Sequence, residues 1–88
     1  MTKVVHCRRS PFDVFIGRPS KWGNPFKIGR DGSREEVIEK FRKYFFSNPE
    51  LMEAAQQELE GKALGCFCFP LPCHGDILAN FLNGINEN

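Results

Sequence analysis

Val37, Ile38, Phe41, Tyr44 and Phe45 recur at i, i+1, i+4, i+7 and i+8, with Glu39, Lys40, Arg42 and Lys43 between them. That spacing is one apolar stripe on a helix with a charged opposite face. Ser33-Arg34-Glu35-Glu36 precedes it in the order of a capping box, the Ser33 hydroxyl serving the Glu36 amide and the Glu36 carboxylate returning to Ser33. Asn48-Pro49-Glu50 starts a second helix with an N-cap residue and a proline in the first turn; Met52, Ala55 and Leu59 face inward and Gly61 ends it. Ile77, Leu78, Phe81, Leu82 and Ile85 form a third helical stripe, with Asp76 placed to cap it.

Three shorter apolar stretches read as strands. Val4, Val5 and Cys7 lie in one, and Asp13–Arg18 is a second, β-branched and aromatic, closed by Gly17. Ala63–Phe69 is the third, its alternation putting Leu64, Cys66 and Cys68 on one face and Gly65, Phe67 and Phe69 on the other. Pro70 and Pro72 forbid its continuation as a paired strand. Between the second strand and the first helix, Arg18–Gly32 is too broken by Pro, Gly, Asn and Asp for a regular element. A loop of that length in a small domain needs its own packing or a ligand, which marks it as functional. The order β-β-loop-α-α-β-α predicts an α/β fold, a small sheet of about three strands covered by helices.

With 88 residues the chain reads as one domain, residues 1–88, that buries only about 60–65% of its unfolded surface. A core that thin makes self-association into a homo-oligomer a consistent expectation. Hydrophobic content of 41% and nine Phe place the composition among folded globular chains. No apolar run suits a signal peptide or a membrane span, so the expected setting is cytoplasmic, with no membrane partner and with the four cysteines reduced. A net charge of +1 argues against coating nucleic acid by bulk electrostatics. The distribution is more telling: residues 1–30 hold seven Lys or Arg against the single acid Asp13, a balance of +6, while residues 31–88 hold five bases and ten acids, a balance of −5.

Two segments hold candidate chemistry. Gly17–Phe26 (GRPSKWGNPF) leaves a strand end and presents Arg18, Ser20, Lys21, Trp22 and Asn24. Arg and Lys neutralise phosphate or carboxylate, glycines let backbone amides approach an anion, and an indole offers a face on which a base can stack. The alternative is that Arg18 pairs with an acid of the protein and Trp22 plugs the core. Neither the G-x-x-x-x-G-K-[ST] nor the G-x-G-x-x-G spacing is present.

The other segment is Leu64–Asp76 (LGCFCFPLPCHGD). Cys66, Cys68, Cys73 and His74 are four zinc-type ligands, with His6 or Cys7 available from a neighbouring strand. Structural zinc sites, however, usually take two well-separated pairs, so no metal is assigned. Cys73 lies ahead of a helix expected near Asp76, where free amides and the dipole favour a thiolate or bind an anion directly, with His74 as a further donor. Cys66 and Cys68 read as small core residues.

Together GRPSKWGNPF, the following Arg34-Glu35 and GCFCFPLPCHGD resemble the signatures of a family of small phage and prokaryotic proteins grouped as a domain of unknown function (DUF4326-like). Phe67 stands where that family often has Trp. The resemblance implies a phage or bacterial setting, host-manipulating or nucleotide-related, and implies no reaction.

The function expected from these residues is recognition of a phosphate-bearing or nucleotide-like molecule in a cleft between the Arg18–Phe26 loop and the helix start at Cys73–Asp76. Arg18 and Lys21 would hold negative charge, Ser20 and Asn24 would give hydrogen bonds, Trp22 would stack, and His74 would close the anion pocket. If chemistry occurs there, Cys73 is the candidate nucleophile, or His74 and Asp76 the acid and base. No cofactor is named by these residues. The alternatives are a zinc-stabilised module that contacts a host protein, and a single-stranded nucleic-acid binder using the basic N-terminal third.

Overall fold

The computed structural model describes residues 1–84. Its three strands, β1 (Lys3–His6), β2 (Val14–Phe15) and β3 (Ala63–Cys66), form a parallel sheet in the order β1-β3-β2. Lys3 stands opposite Ala63 and His6 opposite Cys66 on one side of β3, and Val14 and Phe15 stand opposite Leu64 and Gly65 on the other. β3 is thus the central strand, and all four of its residues are buried, as expected for a parallel strand paired on both edges.

Two strands are shorter than their apolar runs. β2 covers only Val14 and Phe15 of the expected Asp13–Arg18, although the amide of Ile16 still donates to the Gly65 carbonyl at 2.9 Å. β3 ends at Cys66 and not at Phe69, because both flanking strands end there and the Leu71 amide turns back to the Cys68 carbonyl at 2.8 Å. Phe67 and Phe69 consequently stand exposed beyond the sheet.

α1 (Arg34–Phe46) starts with the expected capping box: Ser33 Oγ accepts from the Glu36 amide at 3.2 Å and Glu36 Oε1 accepts from the Ser33 amide at 2.8 Å. Its stripe of Val37, Phe41 and Phe45 is buried. α2 (Pro49–Glu58) starts with Asn48 Oδ1 accepting from the Leu51 amide. Leu59 caps its end, and Gly61 takes the left-handed conformation, φ +75°, that lets the chain turn into β3. α3 (His74–Leu82) starts earlier than expected, with Cys73 as N-cap and Asp76 at the third helical position. Ile85, expected to extend its stripe, lies outside the described residues.

Phe41, Phe45, Ile16, Leu59, Leu64 and Leu78 are the largest fully buried side chains. The ring of Phe45 packs edge-on against Phe81 at 5.2 Å and stacks on Phe41 at 6.0 Å, which joins α1 to α3. The far end of α3 is tied to the start of β1 by a reciprocal pair, Thr2 N–H to Asn83 Oδ1 at 3.0 Å and Asn83 Nδ2 to the Thr2 carbonyl at 2.9 Å. These contacts fix the helix whose opposite end borders the site.

Candidate functional site

Beyond the carboxyl ends of β2 and β3 lies a cleft of about 370 Å³. Crevices at that edge are where open α/β sheets bind ligands, because helix N-termini and strand-end loops converge there. Four pieces of chain wall it: Gly17 and Arg18 after β2; Asn24–Ile28 of the long loop; Arg34, Val37 and Ile38 of α1; and Cys66–Cys68 with Pro72–His74 from the end of β3 to the start of α3. The two segments singled out by sequence therefore face each other across one cavity.

The loop reaches this position through its own packing. Ser20 donates its amide to the Gly17 carbonyl at 2.9 Å and accepts from the Trp22 amide through Oγ at 3.3 Å. Trp22 is 3% exposed and belongs to the core, so it does not offer the stacking face expected of it. Asn24 is also buried; Nδ2 donates to the Val37 carbonyl at 3.1 Å and Oδ1 accepts from the Phe26 amide at 3.0 Å, pinning the loop to α1. Lys21 forms an ion pair with Glu58 at 2.8 Å and lies over the Trp22 ring. Of the five loop residues expected to bind ligand, Arg18 and Asn24 line the cleft, while Ser20, Lys21 and Trp22 do not.

Two cations missed in the sequence complete the wall, Lys27 and Arg34. The guanidinium of Arg34 donates to the Pro72 carbonyl at 3.1 Å and that of Arg18 to the Asn24 carbonyl at 3.0 Å, so both are oriented by neutral acceptors. Ion pairs among the described residues join Lys21 to Glu58, Arg30 to Asp31 and Arg42 to Glu39. Arg18, Lys27 and Arg34 are in none of them, and no Asp or Glu among the described residues lines the cleft. One signal for Arg34 was legible: a cation in the first turn of a helix faces the positive end of the dipole, an unfavourable place without an anion nearby.

The other wall carries sulfur. Cys66 Sγ and Cys73 Sγ lie 3.5 Å apart, both residues nearly fully buried. Cys73 Sγ accepts from the Gly75 amide at 3.3 Å, and Asp76 Oδ2 accepts from the Cys73 amide at 3.1 Å, a capping box built around a thiol. The pair titrates as one unit. A hydrogen bond from the Cys73 thiol, helped by the amides of Phe69 and Cys68, overcomes burial and brings Cys66 down to about 6. The same hydrogen bond, then burial, raises Cys73. The Gly75 amide at the helix start favours a thiolate on Cys73, but the hydrogen bond with Cys66 and burial outweigh it.

His74 is buried, and burial holds its pKa below the ordinary imidazole value. Its Nε2 lies 2.8 Å from the Ile16 carbonyl, which can only accept, so Nε2 carries the proton of a neutral ring. Phe41 packs edge-on against that ring at 5.1 Å. Asp76 is exposed, is occupied by the Cys73 amide and does not line the cleft. The geometry thus does not assemble His74 and Asp76 as a cleft acid and base; His74 serves as a clamp between α3 and β2. Among the described residues, no group of three or more His, Cys, Asp or Glu is placed to hold a metal ion. No helix among them is long and apolar enough to cross a membrane.

A family model described as "Domain of unknown function (DUF4326)" matches residues 2–84. A protein of Enterobacteria phage T4, described as "Uncharacterized 12.4 kDa protein in nrdA-td intergenic region", is 45% identical over 87 residues, covering 94% of this chain and 79% of its own. "Uncharacterized protein R718" of Acanthamoeba polyphaga mimivirus is 39% identical over 84 residues, covering 75% of this chain and 63% of its own. No solved structure matches.

Proposed function

The chain belongs to the family described as Domain of unknown function (DUF4326), and for this member we propose that it binds a small phosphate-bearing or nucleotide-like molecule in the cleft at the carboxyl ends of β2 and β3. The observation that carries the proposal is charge: three cations, Arg18, Lys27 and Arg34, line one cavity with no carboxylate among its described lining residues. Collecting like charges that the fold leaves unneutralised costs stability unless an anion completes them. Two guanidiniums oriented by backbone carbonyls are preorganised forks for a tetrahedral oxyanion, and a lysine adds a movable point charge.

The remaining lining argues for more than an inorganic ion. Phe26 and Phe67 bring aromatic rings, and Ile28, Val37 and Ile38 bring aliphatic surface. An apolar pocket with a few convergent charges suits a ligand with an apolar or aromatic body and a charged end. A volume of about 370 Å³ is at the small end for ligand sites, the scale of one nucleotide-sized molecule.

The test is calorimetric titration of adenosine 5′-monophosphate, uridine 5′-monophosphate and inorganic pyrophosphate into the wild-type protein and a Lys27→Ala variant. Lys27 is the residue of choice because, among the described residues, its ammonium is in no ion pair. Saturable binding of a nucleotide, weakened about tenfold or more by the substitution, is expected from the loss of one charge-assisted contact. Absence of binding by all three compounds at millimolar concentration refutes the proposal. Tighter binding of pyrophosphate than of either nucleotide restricts it to the phosphate group.

A further inference from the structure

The paired thiols have a chemistry that anion binding does not use. Cys66 is the last residue of β3 and Cys73 the N-cap of α3. The intervening segment folds back through the Leu71 amide and the Cys68 carbonyl, and the two sulfur atoms meet at 3.5 Å. A disulfide needs about 2.05 Å between sulfurs, so the atoms must approach by about 1.5 Å, a movement shared between two side chains. Both residues border the cleft, each nearly fully buried. Cys7 and Cys68 are only partly buried and make no such sulfur contact.

We propose that Cys66 and Cys73 form a reversible dithiol–disulfide site that reacts with low-molecular-weight disulfides entering through the cleft. Cys66 is the attacking sulfur: its Sγ lies 3.5 Å from Cys73 Sγ, and the hydrogen bond between them favours its thiolate. It attacks one sulfur of glutathione disulfide, breaking that S–S bond, forming a mixed disulfide on Cys66 and releasing one glutathione thiolate. The Cys73 sulfur then attacks Cys66 Sγ and expels the second glutathione, which leaves with the proton from Cys73. Two protein thiols are oxidised to one disulfide and one glutathione disulfide is reduced to two glutathiones. The carboxylates of glutathione suit the unpaired cations at the entrance, and glutathione in excess runs the sequence backwards. Closing the bond draws the Cys73 sulfur away from the Gly75 amide and changes the rear wall of the cleft.

The experiment equilibrates wild-type protein and a Cys7→Ser/Cys68→Ser double variant, which keeps the pair alone, in mixtures of glutathione and glutathione disulfide. Samples are quenched with acid, unfolded, alkylated and analysed by intact and peptide mass spectrometry. The expected product is a species lighter by two hydrogens, its link mapped to Cys66 and Cys73, fully reversed by excess glutathione. A Cys73→Ser variant is expected to stop at a glutathione adduct on Cys66. The wild-type peptide map gives the answer even if a variant does not fold. Alkylation of both cysteines at every mixture, glutathione disulfide alone included, overturns the proposal. So does a wild-type link or adduct confined to Cys7 or Cys68.

Discussion

Replacing Gly75 by Ala sets helix propensity against packing, and the structure decides between them. Gly75 is a buried first-turn residue of α3, where Ala would by propensity alone add up to about 1 kcal/mol. A Cβ built there would lie 2.7 Å from Ile16 Cδ1 and 3.2 Å from both Cys73 Sγ and Val4 Cγ2. Ordinary carbon contacts are about 3.5–4.0 Å, so Ile16 must retreat by about 1 Å. Ile16 is fully buried, so its side chain can yield only by displacing packed neighbours. Overpacking of an enclosed site costs about 1–3 kcal/mol, and with up to about 1 kcal/mol returned by propensity the balance predicts a net loss of up to about 2 kcal/mol for Gly75→Ala. Urea unfolding should show the midpoint fall with an unchanged m-value, and Tm should fall by about 4–8 °C for each kcal/mol lost. A variant more stable than the wild type would mean that Ile16 does not stand against this glycine and that the helix start is packed differently.

Lys21→Ala should leave ligand affinity within about twofold of wild type, because an exposed pair with Glu58 outside the cleft is worth little; a loss matching that of Lys27→Ala in the same titration would place the binding site elsewhere on the loop. Asn48→Ala should cost about 1 kcal/mol in urea unfolding by removing the α2 cap, and no loss would show that cap to be idle. Stability should also depend on pH in a defined direction. The folded His74 resists protonation, so the unfolded chain takes up that proton first, and the associated stability, complete above pH 6.5, is lost as the pH falls below it, by at most about 1.4 kcal/mol per pH unit. Cys66 adds a gain complete above its ordinary value of 9.0 and lost as the pH falls through about 6; above 9.0 the raised Cys73 reverses the trend. Denaturation midpoints of a Cys66→Ser variant should therefore keep the decline below pH 6.5 and lose the rise between 6 and 9; an unchanged rise would refute the thiolate assignment.

The helices were legible because their signals are local. Ser33 and Glu36, or Asn48 and Pro49, lie within one turn of each other and need no tertiary partner to form a cap. The start of α3 lies three residues before the position its sequence suggests, for a related reason: Asp76 has the usual capping chemistry, whereas the capping atom is the Cys73 sulfur, and a thiol is not among the preferred N-caps. Strand ends were less legible because pairing, not composition, stops them. Cys68 and Phe69 continue an apolar run but have no neighbouring strand, and nothing near them in sequence says that β1 ends at His6. The cleft's two walls were legible as polar, glycine-rich or proline-bounded turns between regular elements. Which of their side chains face it was not. Trp22 and Lys21 adjoin Arg18 in sequence but serve the core and an ion pair with α2, whereas Arg34 arrives from a helix start sixteen positions further on.

Anion binding by the cleft cations is read by amide NMR of the wild-type protein during titration with inorganic pyrophosphate. Saturable shifts are expected, concentrated on Gly17, Arg18, Lys27, Arg34, Cys73 and Gly75, the residues that line or adjoin the cavity. Shifts centred instead on Lys3, Arg8 and Arg9, or no shifts at millimolar pyrophosphate, would contradict it.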